Sequence, residues 1–188
     1  MPHISIISSS VRTGCKSQSV SQYFQNYLSN NNLATTEILD LKKASFPIFE
    51  YPIKTQKKTS EQVIGFANKV KLSDGIIIVT PEYNCGYPAS LKNILDLLYY
   101  EWHGKPISIC TVSAGSFGGT QALVSLQLTL WEIGKWTVTN MFCVSNVSKT
   151  FDNLGNALEK VVTDKLADTY IKELLECVNA TKQVAIEY

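Results

Sequence analysis

The sequence predicts a doubly wound α/β fold: a three-layer sandwich on a five-stranded, all-parallel sheet in the order 2-1-3-4-5. Three observations lead there. Short apolar, β-branched runs alternate with segments of helical period along the chain. One run, "GIIIVT", is apolar throughout, as in a strand covered on both faces. The unusual turn chemistry gathers where strands hand over to helices.

Each element follows in order. "HISIIS" (3–8) reads as the first strand. "SQSVSQYFQNYLSN" (17–30) spaces Val20, Phe24, Tyr27 and Leu28 as a helix does, with Ser17 placed to cap it. "TTEILDL" (35–41) is a second strand. Residues 42–60 carry two prolines, mixed charge and no period, and read as a long surface loop with a lid-like part. A helix over 61–73 leads to the central strand, 75–80. A helix over 88–100 puts Leu91, Ile94, Leu95 and Leu98 on one stripe, with Pro88 in its first turn. A strand over 105–112, a helix over 118–133, a weaker strand over 139–144 and a long helix over 156–180 complete the alternation. The whole chain, 1–188, is expected to be a single domain.

Composition removes several classes. With 45% hydrophobic and 18% charged residues the chain can bury a real core. A formal net charge of +1 gives no electrostatic reason to expect nucleic acid or an anionic membrane. No apolar run is long enough to cross a bilayer. No secretion signal is visible ahead of the first strand, so a cytoplasmic protein is expected. Cys15, Cys85, Cys110, Cys143 and Cys177 form no C-x-x-C pair and read as reduced thiols. With only His3 and His103 besides, no metal site is expected.

In this topology ligands bind at the carboxyl ends of the strands, where the strand order reverses. Three turns should therefore meet: "SSSVRTGCKS" (8–17), "PEYNCGYP" (81–88) and "SAGSFGG" (113–119). The first sets hydroxyls, a glycine and Arg12 at a helix N-terminus, a socket for a phosphate monoester. An ordinary serine-rich cap is the alternative, and the strand–turn–helix setting favours phosphate. It matches neither a Walker A loop nor a dinucleotide fingerprint. "AGSFG" (114–118) approaches a hydrolase nucleophile elbow, but both histidines precede Ser116, which disfavours that triad. The second and third turns suit the edge and face of a flat heteroaromatic ring. A phosphate socket beside two ring-lining turns indicates a mononucleotide, with flavin mononucleotide (FMN) expected at this switch point.

At these residues the chain resembles the NADPH-dependent FMN reductases, flavodoxin-like quinone, azo and chromate reductases among them. The family's turns read roughly G-S-x-R-x-x-S, P-x-Y-N followed by L-K-N, and S-x-G-x-x-G-G; here they are "SSVRTGCKS", "PEYNCGYPASLKN" and "SAGSFGG". The resemblance implies a flavodoxin-like fold. It implies that Ser10, Arg12, Ser17 and Ser19 hold the FMN phosphate, with Ser17 and Ser19 as alternatives for one role, and that Gln18 and Ser9 (where a glycine is usual) complete the cofactor-binding turn. It places Pro81, Glu82, Tyr83 and Asn84 along the ring edge, and Ser113, Ala114, Gly115 and Ser116 on the other wall. It implies NAD(P)H as co-substrate and a small acceptor such as a quinone, free flavin, azo compound or metal oxyanion. It also implies a homodimer or homotetramer, with Lys92, Asn93, Tyr99, Tyr100, Trp102 and His103 near the interface.

Such chemistry needs no catalytic side chain, because the flavin carries the electrons and the protein positions rings and tunes charge. Backbone N–H groups would favour negative charge on the reduced ring. Two other classes fit the same residues: a flavodoxin-like electron carrier and a non-catalytic FMN-binding redox sensor. Carriers are usually strongly acidic, which a net charge of +1 does not match. A phosphate-ester enzyme would need clustered acids that the sequence lacks.

Overall fold

The computed structural model describes residues 1–44, 46–56 and 58–183. Five parallel strands form one sheet in the order β2-β1-β3-β4-β5. They are β1 (His3–Ser8), β2 (Thr35–Asp40), β3 (Gly75–Pro81), β4 (Ile107–Val112) and β5 (Phe142–Val144). The helices are α1 (Ser17–Asn30), α2 (Glu61–Leu72), α3 (Ala89–Leu97), α4 (Thr120–Glu132), α5 (Val147–Thr150) and α6 (Lys160–Gln183). The order reverses between β1 and β3, whose neighbours lie to opposite sides.

The pleat divides the core in two. Ile4, Ile6, Ile77 and Val79 face Val20 and Phe24 of α1 and Tyr170 and Leu174 of α6. Ile7, Ile76 and Ile78 face Phe66 of α2, Leu91 of α3 and Leu126 of α4. Each such side chain, fully buried, stabilises the fold by about 1.5–3 kcal/mol.

The boundaries differ from expectation for local reasons. Gly118 and Gly119 hold φ of +64° and +79°, so α4 begins after them. Pro88 caps α3 from an extended conformation, and the helix stops at Leu97. β5 has only three residues, because Thr137 meets Ile107 as an isolated bridge and the intervening chain leaves the sheet. The last helix starts at Lys160, not 156; before it come α5 and a loop closed by a Phe151–Ala157 bridge. The loop over 42–60 contains one 3-10 turn, Ile53–Thr55, while Ser45 and Lys57 lie outside the described residues. Trp102, expected near a subunit interface, is wholly buried in the α2–α4 core, so it presents nothing to a partner. No helix among the described residues is long and apolar enough to cross a membrane.

Candidate active site

The three predicted turns meet in a cleft of about 300 Å3 at the carboxyl end of the sheet. Arg12 and Ser17 line it from the first turn, Pro81, Glu82 and Tyr83 from the second, and Ser113, Ala114 and Gly115 from the third. Ser9, Ser10, Gln18, Ser19, Asn84 and Ser116 do not line it. Thr13, Gly14, Cys15, Lys16, Val112 and Val147 do, and were not foreseen. Thr13 to Lys16 sat inside the quoted first turn. Val147 carried no signal, because the short helix bearing it was not legible.

The first turn has unmet hydrogen-bonding capacity. Ser17 is not the cap of α1 but its first residue; Lys16 stands at the cap position with helical angles, and no side chain caps the helix. Among the described residues, the hydroxyls of Ser8, Ser9 and Ser17 are buried without a partner, as is Gln18 Oε1. A buried polar group left unpaired costs roughly 1–3 kcal/mol, so such a group gains from a partner, water or ligand, that reaches it. No acidic residue lies in the first turn of α1 to compete for its free N–H groups. The remaining serines are occupied. Ser10 Oγ lies 2.7 Å from Tyr83 Oη, tying the first turn to the second, and the Arg12 guanidinium lies 5.4 Å from the centre of the Tyr83 ring. Ser19 Oγ donates to the Asn153 carbonyl at 3.4 Å.

The second turn is a tight hairpin. Tyr83 and Gly86 exchange backbone hydrogen bonds at 2.8 and 3.1 Å, and the two residues between them, Asn84 and Cys85, both have positive φ. That is the geometry of a type I′ turn, which suits asparagine and costs cysteine. Glu82 does something its expected place on a ring edge did not suggest. Its Oε2 accepts from the N–H groups of Gln121 and Ala122 at 3.0 Å each, so it caps α4 and locks the second turn to the third. The third turn is pinned from below: Thr111 Oγ1 donates to the Gly118 carbonyl at 2.7 Å, and Ser113 Oγ accepts from Gly115 N–H at 3.0 Å.

A fourth segment joins the site. The Asp152 carboxylate accepts from Asn156 Nδ2 and from the N–H groups of Asn156 and Leu154, all at 2.8 Å. These bonds, chiefly those from Asn156, hold its carboxyl below the usual range. The loop so formed carries Asn153, which receives Lys16 Nζ at 2.7 Å as well as Ser19. Gly155, with φ of +82°, lets that loop press directly on the backbone of α1.

The cleft joins a hydroxyl-rich turn at a helix N-terminus to two stiff turns at the switch point of a doubly wound sheet, the place where such folds take mononucleotides. The chain belongs to the NADPH-dependent FMN reductase family, whose model matches residues 2–149. It is 33% identical over 140 residues to an NAD(P)H-dependent FMN reductase of Saccharomyces cerevisiae, covering 68% of this chain and 72% of that one. It is 27% identical over 149 residues to an NADPH azoreductase of a Bacillus species, covering 79% and 80%. Among solved structures, the flavoenzyme NAD(P)H:(acceptor) oxidoreductase FerB of Paracoccus denitrificans superposes with a TM-score of 0.81 at 18% identity, over 96% of this chain and 99% of that one. The family is one of oxidoreductases that work with FMN and NAD(P)H.

Proposed function

We propose that the protein is an FMN-dependent NAD(P)H oxidoreductase that passes reducing equivalents to a small acceptor of the quinone, free flavin, azo or metal-oxyanion class. The observation that carries this reading is the buried Ser17 hydroxyl, without a partner among the described residues, which lines the cleft beside Arg12 at the uncapped start of α1. Ser17 can donate to phosphate oxygens, and the Arg12 fork adds fixed positive charge. Ser17, unpaired and lining the cleft, suits phosphate better than Ser19, which already serves Asn153.

FMN bound there would accept hydride from NAD(P)H and release electrons to the acceptor. The chain's own residues would hold and orient it. The Tyr83–Gly86 hairpin would offer backbone groups to the ring edge, and Ser113 to Gly115 would form the facing wall. Glu82 would keep the two walls in register through α4. No side chain is assigned an acid or base role.

The five cysteines are all free, which suits a reducing compartment such as the cytoplasm. A homodimer accords with the exposed apolar side chains of α4, Val124, Leu128 and Trp131. Of the residues first expected to serve, Tyr99 and Tyr100, just after α3, are exposed as well, while Lys92 pairs with Asp96 and Asn93 holds the segment at 47–49.

The test is the visible spectrum of the purified protein before and after anaerobic NADPH. A flavin spectrum that bleaches supports the reductase. One that survives both NADPH and NADH points to a carrier or sensor. No flavin, and none taken up from added FMN, rejects the site.

A further inference from the structure

A second cleft, also of about 300 Å3, opens beside the first turn. The two clefts share that turn as a wall: Arg12 and Thr13 line the first, and the neighbouring Val11 lines the second. The opposite wall is the segment after β2, with Leu41, Lys42 and Phe46; Asn93 closes the floor from α3. The segment is held in place. Asn93 Nδ2 donates to the Pro47 carbonyl at 2.9 Å, and Asn93 Oδ1 accepts from Phe49 N–H at 2.8 Å. One side-chain amide thus imitates a strand neighbour and fixes the wall.

The lining has a definite chemistry. Val11, Leu41 and Phe46 offer apolar surface to a flat ring. Lys42 is the one charged residue of the lining among the described residues, and its Nζ lies 3.4 Å from Thr13 Oγ1, on the turn that Arg12 makes positive. The nearest carboxylate along the chain, Asp40, uses Oδ1 to accept from the Lys42 backbone N–H. The lining is mixed, with Ser90 and Asn93 beside these apolar side chains, and apolar surface next to a single cation fits an aromatic base that carries a phosphate.

Building on the function proposed above, we infer that this cleft takes the adenosine 2′-phosphate end of NADPH, and that Lys42 is the residue that reads the phosphate. NADH lacks that group and gains nothing from Lys42. The preference between the two nucleotides then rests on a lysine outside the flavin cleft.

The experiment is steady-state kinetics of the FMN-loaded protein with both nucleotides, for Lys42→Ala and for Lys43→Ala. Lys43 is the exposed neighbour that does not line the cleft. Lys42→Ala should raise KM for NADPH roughly five- to tenfold while leaving KM for NADH and the FMN dissociation constant unchanged. Lys43→Ala should change none of these. Equal losses with NADPH and NADH, or equal losses in the two variants, would overturn the assignment. If neither nucleotide reduces the flavin, the proposed function fails, and calorimetry with adenosine 2′,5′-bisphosphate decides the cleft separately. Binding weakened by Lys42→Ala upholds it; no binding overturns it.

Discussion

At the amino end of the sheet, Asp74 accepts from the His3 N–H at 2.7 Å and pairs with Lys182 at 2.9 Å, while Lys105 Nζ donates to the carbonyls of Lys71 and Ser73. The hydroxyls of Ser5 and Ser73 meet at 2.6 Å. At the carboxyl end of the same strands, the hydroxyls of Ser8, Ser9 and Ser17 find no hydrogen-bond partner among the described residues. The serine content alone does not separate the two ends. What separates them is whether partners were supplied from within the chain. The amino end answers most of these polar groups from within the chain, although Trp102 Nε1 and Ser108 Oγ, where β4 enters the sheet, are buried without a partner among the described residues. The carboxyl end carries Ser17, which lines the cleft and can take a partner from outside; a buried hydroxyl left unpaired costs roughly 1–3 kcal/mol.

Glycine substitution should produce the largest contrast between the ends. A Cβ on Gly155 would lie 2.6 Å from the Ser19 carbonyl oxygen and 3.0 Å from Tyr23 N, both backbone atoms of α1, at a φ of +82°. A Cβ on Gly75, at the amino end, would meet mainly side-chain tips, Val178 Cγ2 at 2.7 Å and Ile4 Cδ1 at 3.1 Å. Side-chain tips can yield where helix backbone cannot. Gly155→Ala should cost about 3 kcal/mol, lowering Tm by roughly 10 °C, and Gly75→Ala about 1 kcal/mol. Equal melting temperatures for the two variants would break the distinction.

Ser17→Ala sharpens the comparison by giving two readouts of opposite sign. In the free protein it removes a buried hydroxyl that has no partner, so Tm should hold or rise slightly. FMN affinity, followed by quenching of flavin fluorescence, should fall about tenfold through loss of a charge-assisted hydrogen bond. Ser21→Ala is the counter-case, because Ser21 Oγ donates to the Ser17 carbonyl at 2.9 Å inside α1. It should leave FMN binding alone. A Ser17 variant that melts early and binds FMN normally would make that hydroxyl structural.

The sheet order and the meeting of the three turns were legible because each strand carries its own apolar run and the crossover rule supplies the rest. The phosphate turn was legible as composition, but not which serines were free. Ser10 and Ser19 find partners on Tyr83 and Asn153, 73 and 134 residues away in the chain. No local pattern announces bonds of that span. The same holds for Glu82, whose carboxylate caps a helix starting 38 residues later, between Glu82 and Thr120. Trp102 was misread because an aromatic after a helix looks alike whether it faces a partner or turns inward. Its burial depends on how residues 98 to 106 fold back, which period does not encode.

The hairpin at the cleft offers a smaller effect. Cys85 holds φ of +62° at the second central position of a type I′ turn, where glycine is free of the steric cost that an L side chain meets. Cys85→Gly should stabilise the protein by about 1 kcal/mol, read as a rise in the urea midpoint at unchanged slope. Asn84 precedes it and already tolerates the left-handed region. A drop in stability would mean that the thiol makes a contact worth more than the strain. FMN affinity measured alongside would show whether the strained turn is held in shape for the ring.

The smallest effect belongs to the amino end and appears only in acid. Burial pushes the Asp74 carboxyl up, but the hydrogen bonds from Lys182 and the His3 N–H, with the charge of Lys105, outweigh it and leave the group below the usual aspartate range. A carboxyl depressed on folding adds stability above its unfolded value, about 3.9, and loses it as pH falls through the lower folded value. Asp74→Asn should therefore lower Tm slightly at neutral pH and flatten the fall of Tm below about pH 4. The Asp74 side chain is partly exposed and Lys182 about half exposed, so screening trims the effect, and added salt should shrink the gap between wild type and variant. If the two proteins differ by the same margin at every pH, the contribution of Asp74 comes from its neutral hydrogen bond to His3, and the charge pairing with Lys182 adds nothing.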